Sequence, residues 1–305
     1  MANLKVNVAG VEFKNPVIPA SGTFGNGREY ENFYPLSRLG GISVKGITFD
    51  KRDGNPPPRV AETASGMLNS VGLQNPGSDA FINNELPNLL TKDTKIIANV
   101  AGSTVEDCIV IAEKFESTAI DMIELNISCP NVKQGGAAFG ISCEAAAEVT
   151  KAVRKATSKP LMVKLSPNVT SISEIAKAVE AEGADAVSLI NTLLGMRIDV
   201  KTRRPILRNN VGGLSGPAVF PVALRMVWET YRAVKIPIMG MGGISTAQDV
   251  IEMMMAGASA IQVGAAIFAD PFAPIKIIDG LDKYLDENGI KNISEITGTI
   301  EPWEK

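Results

Sequence analysis

The stretch LMVKLSPNVTSISEIAKAVEAEGADAVSLINT, residues 161–192, reads as one complete structural unit. LMVKLS is an apolar run of strand length, ISEIAKAVEAEG follows with a helical pattern, and AVSLINT returns to a strand. Neither strand alternates apolar with polar residues, which is the mark of a parallel sheet covered on both faces.

The same alternation runs outward in both directions. Further strands are expected at VIPAS (17–21), GISVKGIT (41–48), KIIANV (95–100), DMIELNIS (121–128), PIMGMGG (237–243) and AIQVGAA (260–266). Helical patterns lie between them, among them TVEDCIVIAEKFEST, CEAAAEVTKAVRKATS and TAQDVIEMMMAGA. Eight strand–helix units in roughly 250 residues is the size of a closed (β/α)8 TIM barrel. LKVNV and VEFKN, on either side of Ala9-Gly10, predict an N-terminal hairpin that caps the bottom of the barrel. No linker or low-complexity tract interrupts the chain, so residues 1–305 are read as a single domain. The competing fold, an open doubly wound sheet, needs a G-x-G-x-x-G turn after its first strand. GTFGNG (22–27) and GMGGIS (240–245) match it only loosely.

Composition narrows the function. Hydrophobic residues make up 45% and charged residues 21%, an ordinary globular balance, and the net charge of −3 argues against nucleic acid. The N-terminus lacks a signal-peptide core, and 251–269 is broken by Glu252 and Gln262, so no membrane span is expected. Cys108, Cys129 and Cys143 lack metal-ligand spacing, predict no metal site and suit a reducing cytoplasm. Histidine is absent altogether, so proton abstraction falls to Cys, Lys, Tyr or a carboxylate.

Barrel enzymes carry their chemistry at the C-terminal ends of the strands. Those ends hold Ser21, Lys45, Asn99, Asn126 with Cys129, Lys164, Asn191 with Thr192, Gly242-Gly243 and Gly264. Lys45 and Lys164 sit inside apolar runs, where a charge is costly unless paired. One such lysine could simply snorkel to water; two of them on a rim with three asparagines and a cysteine form a constellation. The glycines that end the last two strands leave backbone N–H groups open to an anion such as phosphate, or serve as plain turn residues. Ser245 or Thr246 suits a helix cap. A phosphate site suits many barrel enzymes; a cation at the edge of a planar ring and amides along it suit a flavin without being unique to one.

The motifs NISCPN (126–131), NSVGLQNPG (69–77), LINT (189–192), GGLSGPA (212–218) and MGMGGI (239–244) resemble the dihydroorotate dehydrogenases of class 1 over nearly the whole chain. The segment 196–227 is similar to the class 1B catalytic subunit. The resemblance implies oxidation of (S)-dihydroorotate to orotate in de novo pyrimidine biosynthesis, with FMN on this chain. It also implies an electron-transfer partner subunit carrying FAD and a [2Fe-2S] cluster that passes electrons to NAD, and a homodimer within a heterotetramer. Three scattered cysteines could not hold such a cluster here. The resemblance assigns Cys129 as the base that takes the C5 proton, with the Gly-rich run 135–140 as hinge of a lid. It assigns Ser21, Lys45, Gly46, Asn99, Asn126, Lys164, Ile190, Gly216, Gly242, Gly243, Gly264 and Ala265 to FMN. It assigns Lys45, Asn69, Ser70, Val71, Gly72, Leu73, Asn126, Asn191 and Thr192 to dihydroorotate. Two positions depart from related patterns: Ala265 stands where the family commonly has Thr, and Asn131 where dihydropyrimidine dehydrogenases usually have His.

Alternatives remain a fumarate-reducing class 1A enzyme, a related dihydropyrimidine dehydrogenase and, more remotely, a phosphate-binding barrel isomerase or lyase. Cys108 and Cys143 fall in helical patterns and read as structural. Arg203, Arg204 and Arg208 fall in a loop that suits a partner interface or plain solvated charge.

Overall fold

The computed structural model describes residues 3–128 and 139–303. Strands β1 (Val6–Val8) and β2 (Val11–Phe13) form an antiparallel hairpin turned at Ala9-Gly10. β3 (Val17–Pro19) and β4 (Gly41–Ser43) begin the barrel; β5 (Val60–Thr63) and β6 (Gly66–Asn69) leave it. β7 (Lys95–Val100), β8 (Met122–Asn126), β9 (Leu161–Lys164) and β10 (Ala186–Leu189) continue it. β11 (Leu193–Gly195), β12 (Ile198–Asp199), β13 (Arg204–Pro205) and β14 (Gly212–Ser215) form a second excursion. β15 (Ile238–Met241) and β16 (Ala260–Val263) complete the barrel.

The eight barrel strands are parallel in the order β3-β16-β15-β10-β9-β8-β7-β4. β4 lies next to β3, and the Gly40 N–H donates to Val17 O at 3.1 Å across that seam. The result is the predicted (β/α)8 barrel. Helices cover it outside: α1 (Val105–Glu116), α2 (Cys143–Ala156), α3 (Ile172–Ala181), α4 (Phe220–Tyr231), α5 (Ala247–Met255) and α6 (Ala273–Asn288). Thr104 and Thr246 each start a helix with a reciprocal capping box, through Asp107 and Asp249. None of the helices among the described residues is long and apolar enough to cross a membrane.

Every residue of β8, β9 and β10 is buried, as near-continuous apolar strands between an outer layer of helices and a packed barrel interior must be. Burying one large aliphatic side chain contributes about 1.5–3 kcal/mol, so these strands anchor the fold. An aspartate just ahead of a strand recurs at the barrel bottom. Asp121 accepts from Ile96 N and Lys95 Nζ; Asp185 accepts from Leu161 N and Arg154 Nη1. Phe13 of the hairpin is fully buried and packs on Gly41, the first residue of β4, which places the hairpin at that same end.

A second sheet stands over the opposite mouth. It has four antiparallel strands in the order β11-β14-β6-β5, drawn from the segments that follow β4 and β10. Arg204 belongs to the small β12–β13 hairpin, and Arg203, Arg204 and Arg208 are all exposed.

Candidate functional site

The C-terminal strand ends and the four-stranded sheet enclose one cavity with an empty volume of about 1220 Å³, part of it open to solvent. Every residue that the sequence assigned to FMN lines it. Ser21 follows β3, Lys45 and Gly46 follow β4, and Asn99 lies in β7. Asn126 ends β8, Lys164 ends β9 and Ile190 follows β10. Gly216, Gly242, Gly243, Gly264 and Ala265 close the far side. Of the residues assigned to dihydroorotate, Lys45, Asn69, Val71, Gly72, Leu73, Asn126, Asn191 and Thr192 line the same cavity. Ser70 does not. It is fully buried, and its Oγ has no protein partner among the described residues.

Residues 129–138, which include Cys129, Asn131 and most of the Gly-rich run, lie outside the described residues. The chain up to them is well fixed. Ser128 donates from N and Oγ to Asn126 Oδ1, at 3.2 and 3.0 Å. Asn191 Nδ2 donates to Ser128 Oγ at 2.8 Å and to Ser128 O at 3.1 Å. Two cavity-lining amides thus hold the residue that precedes Cys129.

Lys164 is the main electrostatic feature. Its side chain is 4% exposed, yet among the described residues it makes no ion pair, and Ser21 Oγ at 3.4 Å is its one hydrogen-bond partner. A buried ammonium without a counter-charge is unfavourable by itself and would be compensated by an electron-rich ligand group.

The glycine-ended side offers backbone donors. Among the described residues, the N–H groups of Gly242, Gly243, Gly264 and Ala265 make no loop or cap hydrogen bond. Gly242 and Gly243 have φ of +123° and +75°, a region that favours glycine. At Gly264 an added Cβ would come no closer than 3.8 Å to the protein, so packing alone does not demand glycine there. The missing side chain clears cavity space instead. Ser245 and Thr246 are engaged elsewhere: Thr246 caps α5, and Ser245 N and Oγ both donate to Asp249. An anion on this side would meet the strand-end N–H groups, with the first turn of α5 already capped by a carboxylate.

Over the cavity, Asn75 shapes the NSVGLQNPG loop. Its Nδ2 donates to Leu73 O at 2.7 Å and its Oδ1 accepts from Gly77 N at 2.9 Å. Leu73 is held at φ +55°, an unusual conformation for a leucine, and presents itself to the cavity. Gly213 of β14 faces Thr192. A Cβ there would collide with Thr192 Oγ1 and lie 2.6 Å from Thr192 Cβ, so rotating the threonine cannot relieve the clash. Gly213→Ala is expected to cost about 1–3 kcal/mol in urea unfolding, the range for overpacking. An unchanged midpoint would mean that the roof shifts freely.

Cys108 is buried in α1, and burial pushes its thiol up to about 12, so it stays neutral and inert. Cys143 opens α2 and is half-buried. Sequence reasoning missed several lining residues, notably Met67, Leu214, Gln262 and Phe268, together with buried Glu124 beneath them.

The sequence pattern of the family described as dihydroorotate dehydrogenase matches residues 3–285. A dihydroorotate dehydrogenase B (NAD(+)), catalytic subunit, from Parabacteroides distasonis is 60% identical over 302 residues, covering 99% of each chain. The subunit of the same name from Bacteroides thetaiotaomicron is 57% identical, covering 99% of this chain and all of its own. That from Alkaliphilus oremlandii is 56% identical over 298 residues, covering 98% of this chain and 99% of its own. With the family pattern and these relatives agreeing along almost the whole length, the chain belongs to the dihydroorotate dehydrogenase family.

Proposed function

We propose that this chain is the FMN-bearing catalytic subunit of an NAD-linked dihydroorotate dehydrogenase and oxidises (S)-dihydroorotate to orotate for pyrimidine synthesis. The observation that carries the reading is buried Lys164, a cation without an ion pair among the described residues, in the cavity at the C-terminal ends of the barrel strands. Orotate forms when dihydroorotate loses a proton from C5 and a hydride from C6, creating the C5=C6 double bond. The flavin, when bound, supplies the hydride acceptor.

The remaining work belongs to the chain. Lys164, Ser21, Asn99 and Asn126 suit the ring, and the N–H groups of Gly242, Gly243, Gly264 and Ala265 suit the phosphate. Ala265 offers no hydroxyl, so the phosphate rests on backbone donors alone at that position. Asn69, Val71, Gly72, Leu73, Asn191 and Thr192 come from roof and rim and suit the smaller, polar dihydroorotate. Ser70 supports them from behind. Cys129 takes the C5 proton, and Ser128 is tied to Asn126 and Asn191 immediately ahead of it. The roof over the cavity narrows the access of water to the transfer.

The names of the relatives include "catalytic subunit", which implies a second subunit for them. For this chain we take the partner to be an iron–sulfur, FAD-containing subunit, in a heterotetramer built on a homodimer. Exposed Arg203, Arg204 and Arg208 are candidates for its contact surface.

The test is a visible spectrum of the purified, FMN-loaded chain before and after anaerobic addition of dihydroorotate. Bleaching of the flavin bands is expected; a colourless chain, or a yellow one that does not bleach, would overturn the reading. The isolated chain should reduce artificial dyes readily and NAD poorly, with NAD reduction restored by the partner. Efficient NAD reduction without a partner would remove the partner-dependent form, and rapid turnover with fumarate alone would point to class 1A.

A further inference from the structure

The cavity floor rests on a carboxylate that the proposed reaction does not use. Glu124 is the third residue of β8 and fully buried. Four donors from four other strands converge on it. Ser43 Oγ and Asn99 Nδ2 reach Oε2 at 2.8 and 2.6 Å; Ser188 Oγ and Gln262 Nε2 reach Oε1, both at 2.8 Å. Among the described residues no lysine or arginine pairs with it.

Two of these donors, Asn99 and Gln262, also line the cavity. A side-chain amide has a donor end and an acceptor end, so fixing one end fixes the other. Glu124 takes the Asn99 NH2, which turns Asn99 Oδ1 toward Asn126, whose Nδ2 donates to it at 3.3 Å. Asn126 Oδ1 is then left to accept from Ser128 N and Oγ. On the other carboxylate oxygen, Glu124 takes the Gln262 NH2. Gln262 Oε1 is left buried and without a protein partner among the described residues. A buried, unmatched acceptor is costly unless a ligand supplies the donor.

We propose that Glu124 is a positioning residue: it sets which end of the Asn99, Asn126 and Gln262 amides meets the ligand. The floor thereby offers Gln262 Oε1 as an acceptor for an N–H of the flavin ring. The same carboxylate anchors Ser128 through the Asn99–Asn126 chain. The inference rests on the flavin reading above.

Glu124→Gln tests it with little change of shape. One of its two ends becomes an NH2 facing a neighbour that also donates. A serine hydroxyl can rotate to accept, but Asn99 or Gln262 must turn its amide over. Flavin affinity, measured by fluorescence titration of the apoprotein, should fall about tenfold or more. Ser188→Ala removes one hydrogen bond from the same carboxylate oxygen without turning any amide. It should lower the apoprotein melting temperature while leaving flavin affinity within about twofold. If Glu124→Gln binds flavin like wild type, or if Ser188→Ala loses affinity to the same degree, the positioning role is wrong. Should Glu124→Gln not fold, Gln262→Met decides the matter, since it removes the acceptor and leaves Glu124 in place. Loss of affinity with a normal melt supports the inference; unchanged affinity overturns it. A wild-type chain that binds no flavin at all would refute the underlying reading instead.

Discussion

Replacing Cys129 with serine is expected to slow flavin reduction by dihydroorotate by a factor of about 10²–10⁴, the usual contribution of a positioned base. The chain has no histidine to take over the proton. Cys108 cannot substitute either, because burial holds its thiol near 12 and its helix lies outside the barrel. A serine hydroxyl is a far weaker acid than a thiol and yields almost no oxyanion at neutral pH. In the wild type, the thiolate fraction should set the rate, which rises with pH toward an ordinary thiol pKa of about 8.5. Anaerobic stopped-flow traces of the flavin band measure both effects. Near-wild-type reduction by the serine variant across neutral pH would exclude Cys129 as the base. The variant should remain yellow, since none of the cavity-lining groups described depends on that thiol.

Lys164→Ala should have effects of opposite sign on the empty and the loaded protein. Without ligand, the mutation removes a 4% exposed ammonium whose one hydrogen bond among the described residues is a 3.4 Å contact to Ser21. The apoprotein should therefore melt at the same temperature or higher. With flavin bound, the lost charge-assisted contact is worth about 1.5–3 kcal/mol, or roughly ten- to a hundredfold in affinity. A cation beside the ring also favours the reduced state, which carries more negative charge. Its removal should lower the two-electron potential by about 30–60 mV, taking about 30 mV per 1.4 kcal/mol. Calorimetry of the two forms and a dye-equilibrated potential check these values. An apoprotein destabilised as much as the loaded protein would mean that Lys164 holds the fold rather than the cofactor.

The barrel was legible because its strands are buried on both faces. Runs such as LMVKLS and DMIELNIS announce themselves, and each observed strand falls inside its predicted window. The helices were legible from their apolar spacing, and capping boxes at Thr104 and Thr246 begin two of them. The roof sheet was hidden for physical reasons. VAET is short and mostly exposed or half-buried, GMLN and GGLS contain no β-branched residue, and Asn69 pairs with Gly213 far along the chain. Local pattern cannot carry a pairing of that kind. The floor residues Glu124 and Gln262 were overlooked although a signal existed. Each is a polar residue inside an apolar strand, the feature that singled out Lys45 and Lys164. Ser70 shows the converse limit: a motif marks a segment as functional without saying which side chains face the ligand.

The roof over the cavity is made from two excursions, 60–69 and 193–215, inserted between strands of the barrel. The floor and the phosphate side come from strand ends that the core already fixes. Under selection these two parts can drift at different speeds. A change at a cavity-facing side chain of the roof, such as Met67 or Leu214, alters which small molecule is admitted without touching the barrel strands, whereas a change at Glu124 breaks hydrogen bonds to four of those strands at once. A lineage could thus acquire a new pyrimidine-like substrate by rewriting some thirty contiguous-in-space residues, a route open to (β/α)8 barrels generally.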